Sequence, residues 1–216
     1  MSDDQSYAGG QKIHSATDEA NLMDFFIRSI MGRNATATLV QVKAVTNTGA
    51  VAAVGLIDVQ PMVAQLDGKG KATPHGIIHN VPYARMQGGT AAFILDPVVG
   101  DIGIAVFASH DISSVKNNKA PANPGSRRRF DWADALYVGG VLNGVPAQYI
   151  RFTSSGDVEI KPATKVTVLG DLAVTGDATV SKTLTATTDV VGGGKSLKGH
   201  LHTGVTSGGG VSGPPQ

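Results

Sequence analysis

The chain has 216 residues and no cysteine, and its 18 lysines and arginines nearly balance 17 aspartates and glutamates. This balance excludes a net field that would draw the protein to nucleic acid, and the lack of cysteine excludes disulfides and thiolate metal sites. The longest apolar runs are far shorter than a membrane-spanning helix and residues 1–10 lack the basic flank of a signal peptide, so we expect assembly in the cytoplasm.

An N-terminal segment, residues 1–34, contains one predicted helix over residues 17–31. Acidic residues occupy its first turn, and Gly32 follows as a stop signal. The apolar residues at helical spacing are Leu22, Phe25, Phe26 and Ile30. The pattern therefore indicates a short amphipathic helix.

Residues 35–150 predict a small β-barrel, with an OB-like closure as the expected arrangement. Five short apolar segments are separated by turn sequences such as NTG and DGKGK: ATLVQVKAV, VAAVGLIDV, GIIHNVPYA, TAAFILDPV and DIGIAVFAS. Residues 113–135 predict a long loop in which Arg127–Arg129 form a solvated face. The segments LYVGGV and YIRFT are expected to supply the last strands and to lead out of the domain.

Residues 151–197 have a repeat of six. Phe152 is the last aromatic residue, and from Lys165 the hexads read KVTVLG, DLAVTG, DATVSK, TLTATT and DVVGGG. Their second and fourth positions are mostly apolar, which indicates a short strand and a turn in every hexad. A single-chain β-helix uses three hexads for each coil, so this segment would complete fewer than two coils. We therefore favour a trimeric intertwined β-helix, in which each chain supplies one wall of every layer.

Residues 198–216 contain the pair His200 and His202 in a glycine-rich ending. Residues two apart in an extended chain point to the same face, so both imidazoles can point toward a threefold axis. Three chains then bring six histidines together, which suits an octahedral first-row metal ion better than tetrahedral zinc. The alternative is a pair of exposed histidines in a frayed terminus.

Four other sets of residues resemble parts of catalytic or nucleotide-binding motifs, but we expect none of them to be a functional site. Gly194–Ser196 lacks the upstream glycine of a phosphate-binding loop, and His75 with His79 lacks the glutamate of a zinc protease helix. His110 and Asp111 could belong to a catalytic triad, but the sequence has no GxSxG nucleophile elbow. Asp131 and Asp134 could be the carboxylate pair of a glycoside hydrolase, but too few residues separate the barrel from the β-helix to hold a catalytic domain. We therefore expect no enzymatic activity.

The order of parts resembles the central spike proteins of contractile-tailed bacteriophages, of the baseplate assembly protein V type and its membrane-piercing relatives. The specific elements of the resemblance are His200-Leu201-His202, followed by Thr203-Gly204, and the ending Gly213-Pro214-Pro215. Asp96-Pro97 and Gly100-Asp101 in the barrel support it at the level of pattern. The resemblance covers most of the chain.

This resemblance implies a homotrimer at the tip of a virion tail baseplate, with the N-terminal domain bound to a baseplate hub protein. It implies one iron ion per trimer, held by the six histidines at His200 and His202, and a host outer membrane as the target. Two alternatives remain from the residues alone. One is a trimeric receptor-binding tail fibre or adhesin stalk, and the other is a secretion-system spike of related shape.

Overall fold

The computed structural model describes residues 17–46, 51, 53–67, 70–201 and 208 of a mainly β protein. The chain divides into two compact units, Met1–Pro146 and Ala147–Gln216. Among the described residues, no helix combines the length and apolar character needed to cross a membrane.

Among its described residues, the first unit contains two helices, one turn of 3-10 helix and nine strands. The helices are α1 (Glu19–Met31) and α2 (Ser113–Asn118), and the 3-10 turn is Trp132–Asp134. The strands are β1 (Ala37–Val45), β2 (Leu56–Pro61), β3 (Gln65–Leu66), β4 (Ala72–Thr73), β5 (Ile78–Pro82), β6 (Met86–Gly88), β7 (Ala91–Phe93), β8 (Ile102–Phe107) and β9 (Ala135–Gly140).

Five of these strands form one antiparallel sheet in the order β5-β2-β1-β8-β9. The sheet curls into a half-barrel. Its two outermost strands approach each other, because Tyr83, just after β5, forms a parallel bridge with Tyr137 on β9. The Ala84 N–H donates to the Tyr137 carbonyl at 2.7 Å. The edges of the sheet are therefore joined at one point.

Alternate residues of the sheet strands build the core. In β1, β2 and β8 every second side chain turns inward, which is the period of two that the sequence shows. The fully buried apolar side chains of the sheet are Val40, Val42, Ile57, Val59, Val81, Ala105 and Ala135. Trp132 closes one end by packing on Phe107, with ring centroids 4.8 Å apart.

The composition of the sheet differs from the sequence prediction at one segment. TAAFILDPV was expected in the barrel, but its residues Ala91–Phe93 form β7, which pairs with β6 in a separate hairpin. LYVGGV was expected as one of the last strands of the domain, and it forms β9 and pairs with β8. Burial agrees with this arrangement, since Phe93 in β7 is 71% exposed whereas Tyr137 in β9 is 3% exposed.

Helix α1 confirms the predicted amphipathic helix. The Asp18 carboxylate accepts a hydrogen bond from the Asn21 N–H at 2.8 Å and caps its first turn, and Gly32 ends it. None of its side chains is buried, and Phe26 and Ile30 are 52% and 62% exposed. The apolar face is therefore left without a covering within the described residues.

The predicted loop 113–135 contains α2 and the 3-10 turn, and its arginine run is not a uniform solvated face. Arg127 is exposed, but Arg128 reaches inward to two buried carboxylates. Its Nη2 donates to Asp111 at 2.8 Å and its Nε donates to Asp134 at 2.7 Å. The prediction of a solvated face is wrong for Arg128 because these carboxylates cannot stay charged in the interior without a partner.

The second unit contains two hairpins joined by an extended segment. Strands β10 (Tyr149–Phe152) and β11 (Val158–Lys161) form the first hairpin, and β12 (Val191–Gly192) and β13 (Lys195–Ser196) form the second. Between them, residues 162–190 run as short extended pieces.

Candidate metal centre

The extended segment bends at regular intervals. Each bend falls on the fifth and sixth positions of a hexad, at residues 169–170, 175–176, 181–182 and 187–188, and the next turn is at 193–194. This regularity agrees with the turn that the sequence predicts in every hexad. Each hexad is therefore one short straight piece followed by one bend.

The apolar side chains of the hexads have no core within one chain. Because residues two apart in an extended chain point the same way, we expect the side chains at the second and fourth positions to share a face. They are 52–74% exposed: Val166, Val168, Leu172, Val174, Val180 and Leu184. The opposite face carries Asp, Lys and Thr at the first and third positions of most hexads.

The backbone of the same segment is equally unsatisfied. Residues 162–188 form no backbone hydrogen bond with another described residue. Backbone amide groups are normally paired in native proteins, with other backbone, side chains or water. Within the described residues this segment has neither a sheet partner nor a core.

The extended segment ends in a tight hairpin immediately before His200. Gly193 and Gly194 have φ angles of 54° and 77°, the left-handed values that a two-residue type I′ turn requires at both central positions. The turn pairs β12 with β13, and the Leu197 N–H donates to the Val190 carbonyl at 2.7 Å. The glycines thus return the chain sharply on itself.

Asp189 holds the base of this hairpin. Its Oδ1 accepts hydrogen bonds from the backbone N–H groups of Val190 at 2.8 Å and Lys198 at 3.1 Å. A hydrogen bond from Ser196, together with those backbone N–H groups, holds the pKa of the Asp189 carboxyl below its usual value. The Ser196 hydroxyl in turn accepts from the Gly199 N–H at 2.8 Å. One carboxylate therefore connects both arms of the hairpin.

The hairpin also fixes the ring of His200. Its Nδ1 lies 2.9 Å from the Leu197 carbonyl oxygen. A carbonyl oxygen can only accept, so Nδ1 carries the proton and a neutral ring has its lone pair on Nε2. Metal-binding histidines commonly use this arrangement, in which one ring nitrogen donates to a carbonyl and the other binds the ion. His200 therefore suits metal binding through Nε2.

The second predicted ligand, His202, lies outside the described residues. Among the residues that are described, no group of three or more His, Asp or Glu side chains could hold a metal ion within one chain. An open groove of about 700 Å³ adjoins His200 and is lined by the β12–β13 hairpin and Leu201. Imidazole from His200 suits a first-row transition metal, provided that further ligands come from elsewhere.

The histidines of the first unit are engaged separately. His79 Nδ1 lies 2.7 Å from an Asp58 carboxylate oxygen, and the His75 ring packs against Trp132 with centroids 4.7 Å apart and ring planes tilted by 42°. His110 lies between the Ser109 hydroxyl and the Arg129 guanidinium, each at 2.9 Å. These contacts are consistent with structural roles.

The two aspartates weighed as a hydrolase pair also have structural partners. Asp131 accepts from the Ala133 N–H at 2.9 Å and caps the 3-10 turn, while Asp134 is fully buried against Arg128. Residues Gly194–Ser196 lie in the turn and β13 instead of preceding a helix. The phosphate-loop geometry is therefore missing at this segment.

Neither Asp189 nor Arg128 was assigned a role from the sequence. Asp189 is the first residue of the fifth hexad, in common with Asp171 and Asp177 of theirs, and it stands where a phosphate-binding loop would need a glycine. A signal was present in its neighbourhood, because Asp189 is the hexad aspartate that precedes a diglycine turn. Arg128 gave no such signal, since its partner Asp111 is distant in sequence.

The sequence matches no protein-family model, and no curated protein is significantly similar to it.

Proposed function

We propose that this protein is the homotrimeric central spike of a contractile tail, which pierces the host outer membrane mechanically when the sheath contracts. The observation that carries the proposal is the segment 162–188, whose bends follow the hexads and whose apolar face and backbone lack partners within the described chain. Two further copies of the same chain supply identical strands in register. No enzymatic turnover is needed for this role.

The energetics favour a closed trimer over a solvated tail. Burying one Val or Leu side chain contributes roughly 1.5–3 kcal/mol, and each chain has six such side chains exposed along the segment. In a three-sided prism these side chains fill the axis, and the polar first and third positions face solvent. The interchain hydrogen bonds make the structure stiff along its axis, which a piercing device requires.

The first unit would serve as the attachment domain. Its strand order β5-β2-β1-β8-β9, with a parallel contact between the outermost strands, is the arrangement expected of an OB-like barrel. The exposed apolar face of α1 provides a surface for the baseplate hub protein. The resemblance to central spike proteins supports both assignments.

The end of the second unit would hold the metal ion. Three copies of His200 and His202 provide six imidazoles for one octahedral ion, and the resemblance implies iron. The fixed tautomer of His200 supports its share of this ligand set. The ion would join the three chain ends where the hexads stop, so that the tip does not fray.

Molecular mass and metal content of the purified protein test the proposal together. We expect light scattering to give three times the chain mass of 22.1 kDa, and elemental analysis to give about one iron for three chains. A monomer would refute the proposal. Specific binding on a glycan array would instead favour a receptor-binding fibre, because that role requires carbohydrate recognition.

A further inference from the structure

We propose that Asp189 is a positioning residue for the metal centre, acting on His200 through the β12–β13 hairpin; this inference rests on the proposed function. The chain of contacts is short and continuous. Asp189 holds Lys198 on the far arm of the hairpin, and the Leu197 carbonyl beside Lys198 orients the His200 ring. Asp189 itself is not a metal ligand in this scheme.

Comparison with the other hexad aspartates shows what is particular to Asp189. Asp171 and Asp177 occupy the same first position of their hexads, but both are exposed and neither makes a hydrogen bond with another described residue. Asp189 is half-buried and accepts from the backbone on both sides of the turn. The same residue type at the same repeat position is thus used differently where the repeat ends.

The hydrogen bonds explain why an acidic residue is suited to this position. A carboxylate offers two oxygens and about four acceptor positions, and N–H groups of residues 190 and 198 together with the Ser196 hydroxyl use them. Ser196 extends the network to the Gly199 N–H, directly before His200. Without the carboxylate, residues 196–199 lose their common anchor and His200 becomes free to rotate.

Chelator challenge of the full-length trimer tests the inference. We expect Asp189→Ala to lose the metal to excess chelator faster than the unaltered protein, with metal affinity lowered about 10–100-fold, which is the range typical for loss of an outer-shell partner. Asp177→Ala is the matched control and should release the metal at the unaltered rate. Asp189→Asn keeps one carbonyl oxygen for the backbone N–H groups and should restore most of the retention.

The outcomes separate this inference from the function on which it rests. If the unaltered protein is a monomer or contains no metal, the proposed function fails. If it is a metal-containing trimer and Asp189→Ala releases metal as slowly as Asp177→Ala, only the positioning role fails. If Asp189→Ala does not assemble, Ser196→Ala provides the same test. This variant removes the link to the Gly199 N–H and leaves the backbone contacts of Asp189 in place. Metal release as slow as in the unaltered protein would then refute the positioning role.

Discussion

Arg128 joins two carboxylates that are almost completely buried, Asp111 and Asp134, which are 2% and 0% exposed at their side chains. The Asp111 oxygen that Arg128 contacts also accepts from the Ser113 N–H at 2.8 Å, and the other oxygen accepts from the Ser126 hydroxyl at 2.7 Å. The network therefore fastens the segment after β8 to the segment before β9. It adds to the backbone hydrogen bond that the Ala108 N–H donates to the Asp134 carbonyl at 3.0 Å.

We expect Arg128→Ala to lower the free energy of unfolding of the first unit by about 2 kcal/mol. Removing one partner of a buried pair leaves uncompensated charge, and the partial exposure of Arg128 moderates the loss. Fluorescence of Trp132, the single tryptophan of the chain, can follow denaturant unfolding of this unit. Arg127→Ala, an exposed neighbour, is the control and should change little. Equal stability of both variants would mean that the network does not contribute.

The same carboxylates predict acid sensitivity of the first unit. Hydrogen bonds from Ser113 and Ser126, with the Arg128 charge, lower the pKa of Asp111 to about 2, and Arg128 lowers the pKa of Asp134. Because the folded pKa values lie below the unfolded ones, this stabilisation is present above about pH 4 and is lost as the pH falls toward about 2. Trp132 fluorescence during acid titration should show unfolding in that window. A constant denaturation midpoint between pH 5 and pH 2 would contradict it.

At the level of elements, the alternation of apolar residues in the sequence located most of the strands, but it did not show which strands pair with each other. The inward residues of β1, β2 and β8 follow the alternation visible in the sequence, and α1 follows its apolar spacing and caps. TAAFILDPV is about as apolar as the strands of the sheet, so its composition could not show that it forms a separate hairpin. Membership of the sheet depends on contacts distant in sequence, such as the bridge between Tyr83 and Tyr137.

The hexads show the opposite balance between sequence and structure. Their period of six could be read from the sequence because apolar residues recur at the second and fourth positions. The bends of the described chain follow the same period. The packing of their apolar face is not determined by one chain, since these side chains remain exposed there. The candidate site has the same character: the contacts of Asp189 and His200 are local, whereas the further ligands that the proposed metal ion needs would lie outside the described residues or in other chains.

Neighbouring residues of one hexad allow a matched test of the shared axis. We expect Val180→Asp to abolish the trimer at micromolar concentration, because it places three carboxylates in an apolar interior without partners. Thr179→Asp changes the adjacent residue on the opposite, solvent-directed face and should leave the trimer intact. Light scattering of both variants measures the difference. Trimers of the same stability in both variants would show that the fourth hexad position does not face an axis.

For the whole molecule, the two units depend on different sources of stability. The first has a core of its own, built from Val40, Ile57 and their neighbours. The second has, among its described residues, hairpins and exposed hexads but no buried side chain. Assembly should therefore determine the folding of the second unit, while the first can fold before the chains meet.

The metal should affect the end of the assembled molecule and not its formation, because the hexads alone offer several apolar layers to three chains. We expect His200→Ala, and equally His202→Ala, to abolish bound metal while light scattering still reports a trimer. Proteolysis should then remove residues near the C-terminus faster, since their anchor is lost.

His110→Ala is the control, because His110 is an exposed histidine of the first unit and should leave the metal content unchanged. Metal retained in full by the His200 and His202 variants would place the ion at other residues, and monomers would show that metal binding drives assembly.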